Sequence, residues 1–341
     1  MSLRKTSILA IPALLVVSLA LTGCELPTAE SNQNGFRGTG MLQLQQPSRE
    51  ADLMAANAAP PSTPAIPSTA PYARDLYENV QVLGDLGVGP FNRLMASMTQ
   101  WVAPEEGCTY CHVAGNFAAE GMYTKTVSRR MLQMTQHINE NWEDHVGNVG
   151  VTCYTCHRGK NVPENLWFAD PGPATAAQFS GWKNGQNVPG LANTAYSSLP
   201  YDAFTPFILG DDEIRVQAVN ERGLPTDHVA SIKNTEQTYS LMMHMSDSLG
   251  VNCTFCHNTR ALGNWEQSTP QRVTSWHGIR MARDLNVDYL DPLQSVYPEN
   301  RLGPLGDAPK ANCATCHQGV NKPLYGAEMA KDYPSLQRTS G

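Results

Sequence analysis

No stretch of this chain is both strongly apolar and long. The run from Ile8 to Leu21 stops short of the roughly 18 residues that favour a membrane-spanning helix. Basic residues are in deficit, with 24 Lys and Arg against 31 Asp and Glu and a formal net charge of −7. That balance argues against a nucleic-acid partner, whose phosphates call for a basic surface. A basic protein partner, or solubility alone, suits it better. No long alternation of apolar and polar residues appears, so a fold built on half-buried strands is not expected. At 341 residues the chain still has ample length for one large or two medium domains with a real core.

Spare cysteine is missing too. Of nine cysteines, eight fall in four frames of one form, Cys-x-x-Cys-His. These are CTYCH (Cys108, Cys111, His112), CYTCH (Cys153, Cys156, His157), CTFCH (Cys253, Cys256, His257) and CATCH (Cys313, Cys316, His317). A lone Cys-x-x-Cys would fit a redox dithiol or half a zinc site. Neither chemistry, nor a disulfide framework, requires a histidine directly after every pair. Covalent haem c does: two thiols add to its vinyl groups, and the adjacent imidazole is held against the iron. Four covalently attached haem c groups are therefore expected.

Cys24 is the remaining cysteine. Arg4 and Lys5 precede the apolar run, which ends in LTGC, the layout of an export signal. A lipoprotein-type signal over 1–23, cleaved before Cys24 so that this thiol is acylated, accounts for it. An uncleaved signal anchor is the alternative.

Residues 24–71 are polar, end in APPSTPAIPSTAP and read as a lipid-anchored arm or tether with little to bury. A first dihaem half (72–167), a Pro/Gly/Asn-rich connecting segment (168–211), a second dihaem half (212–330) and a polar tail (331–341) follow. The halves read as a diverged repeat. MTQHINENW (Met134 to Trp142) and MARDLNVDY (Met281 to Tyr289) hold matching places, with Asn139 opposite Asn286 and Trp142 opposite Tyr289. Periodicity predicts helices over 89–102, 126–142, 235–249 and 271–285. The expected fold is mainly α with extensive coil, in two pseudo-symmetric halves that each hold two haems.

The second axial place at each iron decides its job. An open place permits substrate chemistry, two strong ligands favour electron transfer, and a thioether raises the potential relative to a second imidazole. Met95 and Met98 precede His112, and Met131, Met134, His137 and His145 precede His157. Met242, Met243, His244 and Met245 precede His257. Periodicity does not choose among them. For the fourth haem the repeat sets Gly278 opposite Met131, so a glycine stands where a ligand is wanted. His277, Met281 and the remote His145 are the candidates there.

GFRGTGM, RRMLQMTQHINENW, VTCYTCHRG, GIRMARDLN and CATCHQG together carry a close resemblance to the tetrahaem cytochrome subunit of purple-bacterial photosynthetic reaction centres. The resemblance spans nearly all of the mature chain. It implies three Met/His haems, on Met95 with His112, Met131 with His157 and Met242 with His257, and one bis-His haem on His145 with His317. Met98, Met134, Met243 and Met245 then become core filler, and His137, His228, His244 and His277 ordinary histidines. Since His145 belongs to the first half, haems two and four should meet between the halves, in the order one, two, four, three.

The resemblance further implies an electron-transfer protein rather than an enzyme in its own right. It would sit on the periplasmic face of the photosynthetic membrane, lipid-anchored, re-reducing the photo-oxidised bacteriochlorophyll pair of membrane-embedded core subunits. A soluble periplasmic donor, a small c-type cytochrome or a high-potential iron–sulfur protein, would dock near the first haem. Glu105 and Glu106, just before GCTYCH, are the docking candidates. The alternatives are a respiratory tetrahaem carrier and a multihaem reductase with one open iron.

Overall fold

The structure, a computed structural model, describes residues 28–33, 41–61, 63–173, 199–214, 216 and 232–337. The signal segment, Cys24 and His228 lie outside these residues.

Nine α-helices are present among the described residues. They are α1 (Pro47–Ala56), α2 (Ala73–Leu76), α3 (Val88–Val102), α4 (Tyr123–Asn141) and α5 (Glu143–Val146), then α6 (Cys153–His157), α7 (Ile232–Leu249), α8 (Pro270–Asp284) and α9 (Cys313–His317). The four helices read from periodicity correspond to α3, α4, α7 and α8, each starting one to three residues earlier. Apolar spacing explains them: Leu94 and Trp101, two turns apart on α3, are both buried. Pro270 opens α8, where its missing N–H costs nothing.

Two apolar clusters form the core. The first gathers Leu83, Leu94, Trp101, Leu132, Tyr333 and Leu336. The second gathers Trp167, Phe204, Phe207, Ile208, Leu241 and Ile279. The clusters cross the expected division of the chain, since Trp167 joins residues that follow it and Tyr333 and Leu336 join residues far ahead of them.

That crossing differs from the polar tail expected over 331–341. Tyr333 and Leu336 lie three residues apart about a tight 3₁₀ turn, so both face inward. Trp101 meets the Tyr333 ring edge-on at 4.7 Å, and the Arg93 guanidinium covers that ring at 3.9 Å. Gln136 and Asn139 on α4 donate to the carbonyls of Ser335 and Leu336 at 2.8 Å.

The arm departs from a free tether as well. β1 (Glu30–Gln33) and β2 (Leu42–Gln45) pair antiparallel, with Glu30 opposite Gln45. The buried Gln43 side chain donates to Gly250 O and accepts from Asn252 N, both at 3.1 Å, and buried Asn57 donates to Gln318 O at 3.3 Å. This part of the arm is held by amide groups matched to backbone far along the chain, which composition does not reveal.

Asp284 on α8 takes hydrogen bonds from His137 on α4 and from Trp142, the residue that follows α4, both at 2.6 Å. The Arg130 guanidinium lies over the Tyr289 ring at 4.5 Å. Among the described residues, no helix is long and apolar enough to cross a membrane.

Candidate haem-binding sites

The four motifs take two local forms. CYTCH and CATCH are single helical turns, α6 and α9, entered by Thr152 and Asn312 and left through Arg158 and Gln318 in the left-handed region, at φ 50° and 48°. The backbone N–H of Thr152 donates to Thr155 Oγ1, and that of Asn312 to Thr315 Oγ1, each at 3.0 Å. CTYCH and CTFCH instead begin as 3₁₀ turns, Gly107–Tyr110 and Cys253–Phe255.

Each motif is clamped from the helix before it or after it, and each clamp occurs twice. Asn139 donates to Val151 O at 2.9 Å and accepts from Val151 N at 2.6 Å, two residues ahead of Cys153. Asn286 does the same for Ala311, two residues ahead of Cys313, at 2.9 and 2.8 Å. The hydroxyl of Thr124 donates to Tyr110 O, and that of Thr269 to Phe255 O, at 2.5 and 2.6 Å.

Every motif histidine has Nδ1 on a backbone carbonyl. His112 meets Phe117 O and His257 meets Leu262 O, each five residues on and at 3.0 Å. His157 meets Lys160 O at 2.8 Å and His317 meets Val320 O at 3.0 Å, each three residues on. A carbonyl only accepts, so Nδ1 carries the proton and Nε2 keeps its lone pair. This is the tautomer a proximal metal ligand needs, with a hydrogen bond that raises its basicity. Burial pushes His157 and His257 below the ordinary range, which keeps the rings neutral.

The candidate sixth ligands are spread over three helices. Met95 on α3, Met131 on α4 and Met242 on α7 are all half-buried. Thr99 and Thr135, one turn on, bond back to the carbonyls of Met95 and Met131 at 3.0 and 2.8 Å. Met98 packs against the same cluster as Met95, and Met245 against the same cluster as Met242, so packing does not separate them.

His145 on α5 donates through Nδ1 to Thr274 O on α8 at 3.0 Å. Its ring lies 6.0 Å, centre to centre, from that of His317. Metal–imidazole bonds of about 2.0 Å put two rings on opposite sides of one metal about 6 Å apart. A β-carbon at Gly278 would stand 2.5 Å from His145 Cε1. The glycine opposite Met131 in the repeat is thus the hole that seats this imidazole, and the residues fit a shared bis-imidazole iron. Burial, and then the neighbouring His145, push His317 down to about 4, so it too is neutral.

The other described histidines are engaged elsewhere. His244 is buried edge-on to Phe204 at 4.6 Å, with Ser248 at 3.1 Å. His137 bonds Asp284, and His277 lies 3.8 Å from Asp144 and against Trp276. Glu105 and Glu106 are both exposed, and Glu106 accepts from Asn161 at 2.6 Å.

Cys156 and Cys316, both expected in thioethers, lie beside each other, Cα to Cα 4.5 Å. The cause is packing: α6 lies on α9, bringing the second cysteines of two motifs face to face.

A helical, coil-rich chain whose Cys-x-x-Cys-His motifs hold their imidazoles ready in this way is a c-type cytochrome, with haem bound covalently. The profile of the family described as "Photosynthetic reaction centre cytochrome C subunit" matches residues 25–337, and the chain belongs to that family. It is 51% identical over 334 residues to the photosynthetic reaction center cytochrome c subunit of Thermochromatium tepidum, which covers 97% of this chain and 81% of that protein. It is 50% identical over 318 residues to the subunit of the same name from Rubrivivax gelatinosus, covering 93% and 86%. The Roseobacter denitrificans subunit of that name is 46% identical over 328 residues, covering 91% and 86%. The chain is thus an electron-transfer component of a photosynthetic complex.

Proposed function

We propose that this chain holds four haem c groups in two repeated halves and re-reduces the photo-oxidised bacteriochlorophyll pair of the core subunits. The observation that carries this reading is the set of four carbonyl-anchored imidazoles, each directly after a cysteine pair, with His145 turned toward the fourth. Bound haem supplies a one-electron iron couple at each motif. The protein does the rest. Four proximal imidazoles are held at fixed tautomer by Phe117, Lys160, Leu262 and Val320 carbonyls. Met95, Met131 and Met242 serve as thioether ligands and raise the potential of their sites, whereas His145 lowers that of the fourth.

The paired clamps of Asn139 and Asn286, and of Thr124 and Thr269, support a repeat of the first motif by the third and of the second by the fourth. Contact of α6 with α9 supports the order one, two, four, three, with Cys108 and Cys253 exposed at the two ends. Electrons enter beside His112, where Glu105 and Glu106 face a basic soluble donor, a small c-type cytochrome or a high-potential iron–sulfur protein. They leave beside His257, toward the pigments. Acylated Cys24 tethers the chain to the periplasmic face of the membrane.

The test is a single-turnover flash on membranes that contain the complex. Haem should be oxidised as the pigment pair is re-reduced, with matching kinetics. Pigment re-reduction at a rate unaffected by deleting this chain would overturn the reading.

A further inference from the structure

We infer that Lys125 is a positioning residue for His112, weakening the proximal imidazole's electron donation and so raising the potential of the first haem. The inference rests on the proposed role of His112 as a proximal ligand. Lys125 lies in the first turn of α4 and is only 6% exposed. A buried ammonium is costly unless its donors are satisfied. Here all three N–H groups have partners, since Nζ donates to Phe117 O at 3.0 Å and to Ala118 O and Ala119 O at 2.9 Å. The loop after CTYCH is folded around this one cation.

Phe117 O is also the carbonyl that takes the Nδ1 proton of His112, at 3.0 Å. One oxygen thus serves two donors, one of them charged. A hydrogen bond from Nδ1 makes an imidazole a stronger donor to metal. A cation on the same oxygen withdraws electron density from it and weakens that bond. The less basic imidazole stabilises oxidised iron less. A nearby buried positive charge acts in the same direction, since the reduced site carries one positive charge fewer. Glu120, the acidic group on this loop, sits at the surface with its carboxylate on Arg129 at 2.8 Å, so those two charges offset each other.

The third motif is an internal control. His257 meets Leu262 O at the same 3.0 Å, and Thr269 bonds Phe255 O as Thr124 bonds Tyr110 O. The residue after Thr269 is Pro270, which carries no charge where Lys125 follows Thr124. The third loop has its own cation, Arg272, but that guanidinium donates to Asn264 O at 3.0 Å and to Ser268 Oγ at 2.8 Å, whereas Lys125 sits directly on the carbonyl that His112 uses.

The experiment uses the full-length, haem-loaded subunit with 15N-labelled histidine. In Lys125→Met one of four midpoint potentials should fall while the other three hold, and Lys125→Arg should retain the wild-type value. In the reduced state the His112 Nδ1 proton should move downfield and exchange more slowly, because its bond to Phe117 strengthens. A loop that merely loosened would send this proton upfield into fast exchange. That outcome, or four unchanged midpoints, overturns the inference. If Lys125→Met does not load haem, Lys125→Gln keeps amide donors without the charge and should show the same two shifts. A wild-type His112 signal without haem ring-current shift would instead overturn the ligand assignment.

Discussion

At position 278 a β-carbon would lie 2.5 Å from Cε1 and 2.8 Å from Nδ1 of His145, so the helix must leave that place bare. Glycine inside a helix costs roughly 1 kcal/mol relative to alanine, and close approach of the imidazole is what requires it here. Gly278→Ala should therefore favour α8 as a helix yet displace His145. The expected result is a changed low-spin paramagnetic resonance signal and a shifted midpoint for one haem. His145→Met should raise the midpoint of that same haem. If the haem on His157 moves instead, the assignment of His145 is wrong. The residue reading left His145 among several candidates, because nothing local to EDHVG announces a partner far along the chain. Gly278 was the legible clue, as a missing ligand rather than as a cavity.

Among elements, α6 and α9 are too short to be stable by themselves, and each depends on its asparagine clamp. Asn286 is fully buried, donating to Ile208 O and Ala311 O at 2.9 Å and accepting from Ala311 N at 2.8 Å. Asn286→Ala leaves those groups unpaired and should destabilise the loaded protein by about 1–3 kcal/mol. A lowered thermal midpoint with impaired thioether formation at CATCH would show it. Unchanged stability would mean that water replaces the amide. Helices α3, α4, α7 and α8 were legible from apolar spacing because their buried faces repeat at the helical period. The alignment of Asn139 with Asn286 also came from sequence. The amides' task, holding the strand of chain ahead of each motif, shows only once the partner carbonyls are in place.

For the molecule as a whole, the arm and the chain end carry the surprise. Both read as polar segments with little to bury, yet Gln43 and Asn57 dock on the second half and Tyr333 and Leu336 complete the first core. A short polar segment can bind through a few matched amides or two well-placed apolar residues, and average composition conceals both. At the end proposed to meet the donor, Glu105 and Glu106 lie exposed beside the first motif. Reversing both charges to lysine should lower the second-order rate of re-reduction by a basic donor and flatten its dependence on ionic strength. An unchanged rate and salt slope would remove these residues from the docking surface.

The amino-acid sequence by itself determined the covalent chemistry and the main helices. A Cys-x-x-Cys-His spacing and a 3.6-residue period are local properties, complete within a few turns of chain. Only the tertiary structure decided which distant groups meet: His145 with Gly278 and His317, Lys125 with the carbonyl that His112 uses, Asp284 with His137 and Trp142. It also set the second cysteines of CYTCH and CATCH against each other. Such meetings depend on how helices pack and where loops return, and no pattern along the chain encodes them directly.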